Sequence, residues 1–192
     1  AGLIFEENPQ LKNITIEVSK QILSCSKNSN SISVNMGKAK FSWSEIPLSQ
    51  EIDSQNLEIL GYKFSCMNIG NPHAVSFVEN KLTDEEFFKI GKQVENHQLF
   101  PQKTNVEFAQ IINDNLIEVR VFERGAGETL ACGSGACAVG TLAIKHNLIK
   151  SNKVTIRFKG GDIIISLEDD FVIMTGDYNK IFAGTIDENF FN

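Results

Sequence analysis

The residues best suited to chemistry are Cys132 and the small residues that follow it. Cys132 precedes Gly133-Ser134-Gly135, and a run of small and apolar residues then extends to Ile144. This pattern predicts a glycine-rich turn that opens a buried helix, with Cys132 at its start. The amides of a helix's first turn bind anions, and the helix dipole lowers the pKa of a thiol placed there. We therefore expect a reactive thiolate beside a binding site for a carboxylate.

Further polar residues are candidates for the same crevice. Glu123 and Arg124 end a predicted strand directly before a glycine-containing loop. They form either a surface ion pair or a pair aimed at Cys132, where arginine suits a carboxylate and glutamate an ammonium group. Asn71 and Asn105 lie between apolar strands, and each serves either a turn or substrate binding. His73 is either a turn residue or an acid-base helper.

A thiolate at a helix end suits two kinds of chemistry. One is nucleophilic acyl chemistry, which needs an activating base and an oxyanion hole. The other is abstraction of a proton α to a carboxylate in a preorganised pocket. The sequence has no phosphate loop, dinucleotide fingerprint or pyridoxal-type lysine motif, so we expect no cofactor. The cysteines lack zinc-ligand spacing and there are three histidines, so we expect no metal.

Composition narrows the class of protein. The chain has 192 residues, of which 42% are hydrophobic and 22% charged, with a formal net charge of −6. An acidic chain with scattered basic residues is not typical of a nucleic-acid binder. No stretch approaches the roughly 18 apolar residues that cross a bilayer, and no signal peptide is recognisable. We expect a cytoplasmic protein with free thiols.

The hydrophobic pattern predicts many short strands and two helices. The helices cover residues 84–95, capped by Thr83 or Asp84, and residues 133–147. Residues 43–56 form an irregular connection. Many strands with few helices indicate an α+β fold, a curled sheet wrapped on a central helix. The predicted strands cover residues 11–18, 20–25, 31–36, 57–68, 74–78, 106–112, 116–122, 154–158, 161–167 and 171–176.

Residues 123–140 resemble the second signature of diaminopimelate epimerase, a family that residues 67–75 and 105–108 also match in the right order. The likeness extends over residues 11–186. It implies two pseudo-symmetric halves, each a curled mixed sheet around a central helix, with the active site between them. Residues 61–180 would be a complete C-terminal half. Residues 1–60 would be a remnant of the N-terminal half, to which residues 181–192 return.

The resemblance implies a cofactor-independent isomerase that interconverts LL- and meso-diaminopimelate for lysine and cell-wall precursor synthesis. The family uses two cysteines on opposite faces of the α-carbon, and Cys132 corresponds to the second. His73 and Glu123 would assist the thiols. The implied partner is this small molecule, with no nucleic acid or membrane, and a homodimer is possible. The implied substrate-binding residues are Asn71, Asn105, Glu123, Arg124, Gly133 and Ser134.

The chain departs from the family at the first cysteine, whose motif has no match here. Cys25 lies in a predicted polar hairpin, whereas Cys66 and Cys137 have the pattern of core residues. We therefore expect that about 80 residues of the family's N-terminal half are absent, and that this chain alone is inactive or very weak. The alternatives are a proline-racemase-like or phenazine-synthesis-like isomerase and a non-catalytic ligand-binding module. A thiol-redox protein fits least, because no resolving cysteine lies beside Cys132.

Overall fold

Alternating apolar residues form twelve strands of one sheet in the described part of the chain. A computed structural model describes residues 1–18, 21–29, 31–187 and 190. The helices are α1 (Gly2–Glu7), α2 (Asp84–Glu95) and α3 (Gly133–Lys145). The strands are β1 (Asn13–Val18), β2 (Gln21–Lys27), β3 (Ile32–Lys38), β4 (Leu57–Ile59), β5 (Tyr62–Asn68), β6 (Pro72–Phe77), β7 (Asn105–Asn113), β8 (Leu116–Glu123), β9 (Gly127–Glu128), β10 (Lys153–Phe158), β11 (Gly161–Glu168) and β12 (Phe171–Gly176).

The strands join in the order β1-β2-β3-β12-β11-β10-β8-β7-β6-β5-β4, and β9 pairs with β8. All neighbours are antiparallel except β6 with β7 and β8 with β10. A parallel pair needs a crossover connection. Helix α2 lies in the connection from β6 to β7, and α3 lies in the connection from β8 to β10. The sheet is therefore mixed, and the α+β expectation is confirmed.

Helix α3 is the buried central helix that the small residues predict. Its residues from Gly135 to Ala143 are all buried. A Cβ atom on Gly140 would lie 2.7 Å from the Cβ of Ile165 in β11, so the helix backbone lies very close to the sheet. Small side chains permit this approach. Among the described residues, no helix is long and apolar enough to cross a membrane.

Helix α2 is amphipathic and begins where the sequence predicts. The Thr83 hydroxyl accepts from the Glu86 amide, and the Glu86 carboxylate accepts from the Thr83 amide, which completes a capping box. The buried face of the helix carries Phe87, Ile90 and Val94. These residues pack on the sheet face opposite α3, among aromatic side chains.

The structure corrects two of the local predictions. The predicted strand at 57–68 is broken by a tight turn at Leu60 and Gly61, whose φ angles of 56° and 80° suit a two-residue hairpin. The predicted turn at 70–73 ends earlier, because β6 already starts at Pro72. Residue 20, the predicted start of a strand, lies outside the described residues. Strand β2 covers Gln21–Lys27.

Candidate active site

The strands bring polar side chains to the sheet face that α3 covers. Val75, Ala109 and Val121 belong to the hydrophobic cluster around α3. Because side chains alternate along a strand, residues two positions away share that face. The pairing of His73 with Asn105, and of Val106 with Phe122, aligns β6, β7 and β8 at this end. The polar side chains that face α3 are therefore His73, Asn105, Glu107 and Glu123.

Cys132 is the N-cap residue of α3. Its extended backbone, with φ −138° and ψ 112°, lets Sγ accept a hydrogen bond from the Gly135 amide at 3.4 Å. The Ser134 hydroxyl lies 3.6 Å from the same sulfur. The residue is 6% exposed. The predicted cysteine at a helix start is thus confirmed, and the thiol is almost enclosed.

The pKa of this thiol differs from the sequence expectation. Burial, and then the negative charge of Glu107, raise the pKa of Cys132 from 9.0 to about 11. The hydrogen bonds from Ser134 and Gly135 act in the opposite direction, and the charge of Glu123 adds to the rise. The expectation of a lowered pKa is therefore wrong, since desolvation and two carboxylates outweigh the helix end. At neutral pH the thiol is protonated.

His73 is fully buried at the start of β6, between two oxygen-bearing side chains. Its Nδ1 lies 2.7 Å from Glu107 Oε1, and its Nε2 lies 3.0 Å from Asn71 Oδ1. Sequence reasoning did not single out Glu107. The available signal was an acidic residue within the apolar segment Val106–Ala109, on the strand face that also carries Asn105.

Asn105 forms hydrogen bonds to the backbone at the start of β6 and just past the end of β8. Its Nδ2 donates to the carbonyl of Pro72 at 2.9 Å, and its Oδ1 accepts from the Arg124 amide at 3.0 Å. The Arg124 guanidinium donates to the Gln102 carbonyl at 3.3 Å. The hydroxyl of Thr129 donates to Glu123 Oε1. Asn105 thus fixes the backbone at the end of β8, where Glu123 stands.

The first turn of α3 contains the remaining two predicted residues, Gly133 and Ser134. A Cβ atom on Gly133 would lie 3.1 Å from the sulfur of Met174 in β12, so this turn packs closely against the sheet. Amides in a first turn have no partner within their own helix. They are suitable donors to a carboxylate. The predicted residues are therefore gathered around the start of α3 and the adjacent ends of β6, β7 and β8.

The other three cysteines belong to separate apolar clusters. Cys66 lies in the aromatic cluster on the α2 face, and Cys137 lies in the core around α3. Cys25 lies in the β2–β3 hairpin, as expected, but its side chain is buried in an apolar cluster with Phe5. Within the described ranges, no group of three or more His, Cys, Asp or Glu side chains is placed to hold a metal ion.

Comparisons with known proteins agree with the predicted family. The family model for diaminopimelate epimerase matches residues 65–181. The diaminopimelate epimerase of Methanococcus maripaludis strain C5 is 40% identical over 183 residues, which cover 91% of this chain and 62% of that protein. The diaminopimelate epimerase of Halothermothrix orenii is 39% identical over 176 residues, covering 88% of this chain and 61% of that protein.

Solved structures share the fold at low sequence identity. A hydroxyproline epimerase from Agrobacterium vitis has a TM-score of 0.60 at 10% identity, covering 91% of this chain and 60% of that one. A predicted epimerase from Pseudomonas aeruginosa has a TM-score of 0.58 at 14% identity, covering 91% and 67%. The chain spans about 62% of the length of the curated relatives that it matches first. On the family match, this chain belongs to the diaminopimelate epimerase family.

Proposed function

We propose that this chain carries one of the two acid-base groups of a cofactor-independent isomerase that interconverts LL- and meso-diaminopimelate. One observation carries the proposal. Cys132 holds its thiol at the first turn of a buried helix, beside a row of polar side chains on three adjacent strands. The relatives named diaminopimelate epimerase, about 40% identical, support the choice of substrate.

In this proposal the first turn of α3 binds the reacting end of the substrate. The amides of Gly133 and Ser134 donate to the α-carboxylate, where the helix dipole also favours negative charge. The carboxylate of Glu123 stands at the adjacent strand end and suits the ammonium group. Asn71, Asn105 and Arg124 take part in holding the remainder of the molecule. Stabilising the charge that develops on the carboxylate lowers the barrier to removing the α-proton.

Cys132 then acts on one face of the α-carbon. With a pKa raised to about 11 the thiol is protonated, so in this state it is the proton donor. A base on the opposite face takes the α-proton, and the carbanion receives the proton from Sγ, whose electron pair remains on sulfur as a thiolate. In the reverse direction the thiolate is the base. His73 and Glu123 assist these transfers.

The opposite face needs a second group, because direct inversion requires an acid and a base on opposite sides. Cys25 and Cys66 are buried in two other clusters. Cys137 shares the cluster of Cys132, but it is 0% exposed and lies further along α3. We therefore propose that none of them serves as the second thiol, and that the chain alone epimerises very weakly or not at all.

Substrate binding tests the first part of the proposal. Calorimetric titration with LL- and meso-diaminopimelate should show binding, while proline should not bind. Glu123→Gln should weaken the affinity, whereas Glu118→Gln, at a partly buried acid of the same strand that pairs with Lys81, should leave it unchanged. Binding of proline in place of diaminopimelate would identify an isomerase of another substrate instead.

Deuterium exchange tests the second part. The chain is incubated with LL-diaminopimelate in deuterated water. The isomers are then separated, and their deuterium content is measured by mass spectrometry. We expect no steady formation of the meso isomer. If the meso isomer forms steadily with deuterium, and Cys132→Ser abolishes it while Cys137→Ser does not, the chain is complete as a catalyst and the proposed need for another group is wrong.

A further inference from the structure

A buried carboxylate stands in the middle of β7, where the sheet is otherwise apolar. Glu107 and His73 are both 0% exposed, and Glu107 Oε1 lies 2.7 Å from Nδ1 of His73. Glu107 Oε2 is buried and has no hydrogen-bond partner among the described residues. A buried carboxylate costs free energy unless it is paired. Its contact with His73 therefore accounts for an acid at this position.

The contact constrains the imidazole ring. An ionised carboxylate only accepts hydrogen bonds, so the nitrogen that faces Glu107 carries a hydrogen. The other ring nitrogen, Nε2, faces Asn71 Oδ1 at 3.0 Å. Asn71 Oδ1 is also an acceptor, so the contact at Nε2 is a hydrogen bond only when that nitrogen carries a hydrogen as well. Nε2, which faces Asn71, is then the ring nitrogen that can exchange a proton.

The same carboxylate lies against the first turn of α3. A Cβ atom on Gly135 would be 2.9 Å from Glu107 Oε1 and 3.3 Å from the Cβ of Cys132. Only a glycine fits there without displacing one of them. The positive end of a helix favours a negative charge, and the Glu107 carboxylate lies at that end of α3. The carboxylate thus stands between the imidazole and the residue that carries the thiol.

We propose that Glu107 is a positioning residue of this site, which keeps a hydrogen on Nδ1 of His73 and directs Nε2 toward Asn71. Its charge also raises the pKa of Cys132, which places the carboxylate within electrostatic reach of the thiol. The inference takes His73 as part of the proposed epimerase site. Its test needs no turnover, so its failure and the failure of the proposed function are separate results.

Nitrogen NMR of the histidine side chains tests the proposal on the unmodified chain. There are three histidines, and the signals of His73 are those lost in His73→Gln. We expect a hydrogen on Nδ1 throughout the neutral pH range. A bare Nδ1 with the hydrogen on Nε2 alone would overturn the proposal, and the variant serves only to assign the signals of the unmodified chain.

Variants then assign the effect to the carboxylate. Glu107→Gln should shift the His73 nitrogen signals toward a mixture of tautomers, and Glu107→Asp should restore part of the original pattern. Glu95→Gln is the matched control, because Glu95 is also buried but accepts from the Gly125 amide. Unchanged His73 signals in a folded Glu107→Gln protein would contradict the role of Glu107.

Discussion

The two faces of the sheet around β5 to β8 are packed in opposite ways. The α2 face is filled by aromatic rings, and the rings of Phe87, Phe108 and Phe122 meet at centroid distances of 5.8 and 6.2 Å. The α3 face is packed by small and aliphatic residues, with alanines and Gly140 on the helix itself. Large rings hold a helix away from a sheet, whereas small side chains let its backbone approach.

This difference in packing explains why the candidate site lies on the α3 face. Close approach of α3 brings its first turn within contact of Glu107, and so brings Cys132 to the polar strand ends. On the α2 face, Arg120 lies over the ring of Phe87 and pairs with Asp84 and Glu128. A cavity of about 400 Å³ lies near it, and none of the candidate site residues lines that cavity. The aromatic face provides stability, and the small-residue face positions the site.

The largest expected effect is a loss of stability when a ring of the aromatic α2 face is removed. Phe87→Ala removes a fully buried ring with three aromatic neighbours, and should lower the free energy of unfolding by about 3–5 kcal/mol. Denaturant titration measures it. The control is Phe88→Ala, whose side chain is 45% exposed and should cost far less. Equal losses would contradict the view that this face is a close-packed core.

The next effect is a loss of stability at high pH, to which buried thiols on both faces contribute, since burial also raises the pKa of Cys66 on the α2 face. The pKa values of Cys132 and Cys137 are raised from 9.0 to about 11 and about 12, chiefly by burial. Unfolding then releases protons above pH 9, so the stabilisation is complete below pH 9 and is lost as pH rises through the folded-state values. Each thiol contributes a fall of about 1.4 kcal/mol per pH unit in this window.

Denaturant titrations between pH 8 and 11 check this alkaline loss, with Cys137→Ala compared to the unmodified chain because lysine and tyrosine also titrate there. The variant should lose less stability as pH rises. A parallel pH dependence of the two proteins would show that the buried thiol does not contribute.

A smaller loss of stability is expected when a glycine of either helix is replaced by alanine. Gly140→Ala places a methyl group 2.7 Å from the Cβ of Ile165, and should cost about 2 kcal/mol after the gain in helix propensity. In Gly91→Ala the new methyl meets the ring of Phe122 at 2.9 Å. This closest approach is longer than the one at Gly140, so we expect a smaller cost on the α2 face. Thermal unfolding of both variants measures the difference, and the reverse order would contradict it.

The smallest effect concerns the thiol alone. Glu107→Gln removes a negative charge that raises the pKa of Cys132, so the pKa should fall by about one unit. The ultraviolet absorbance of the thiolate, with that of Cys132→Ser subtracted, follows the titration. Glu123→Gln should lower the pKa less, because its charge contributes less to the rise. If Glu123→Gln lowers the pKa of Cys132 more than Glu107→Gln does, then Glu123 is the carboxylate that mainly raises this pKa.

Local signals predicted most of the elements. The bounds of α2 follow from the apolar spacing of Phe87, Ile90 and Val94 and from the capping residues, all of which are near in sequence. The buried helix α3 follows from an unbroken run of small residues. The hairpin of β7 and β8 follows from the polar residues at 113–115, and the structure confirms it.

The properties that depend on distant neighbours were not predictable in this way. The sign of the Cys132 pKa shift depends on burial and on a carboxylate from β7, neither of which the helix-start motif contains. In the sequence, Glu107 is a single acid within an apolar segment. Its contact with His73 depends on how β6 and β7 pair in the fold. The break at Leu60 required a positive φ at a leucine, which L-residues rarely adopt, so the sequence favoured one continuous strand.

The pairing of β3 with β12 has a consequence for how the chain folds. Ser33 and Thr175 lie opposite each other with their hydroxyl oxygens 2.7 Å apart, although 142 positions separate them in sequence. Contacts that close long loops form slowly. In the described sheet β3 lies between β2, which precedes it in the chain, and β12, which is made much later. We expect β3 to pair with β2 before it pairs with β12.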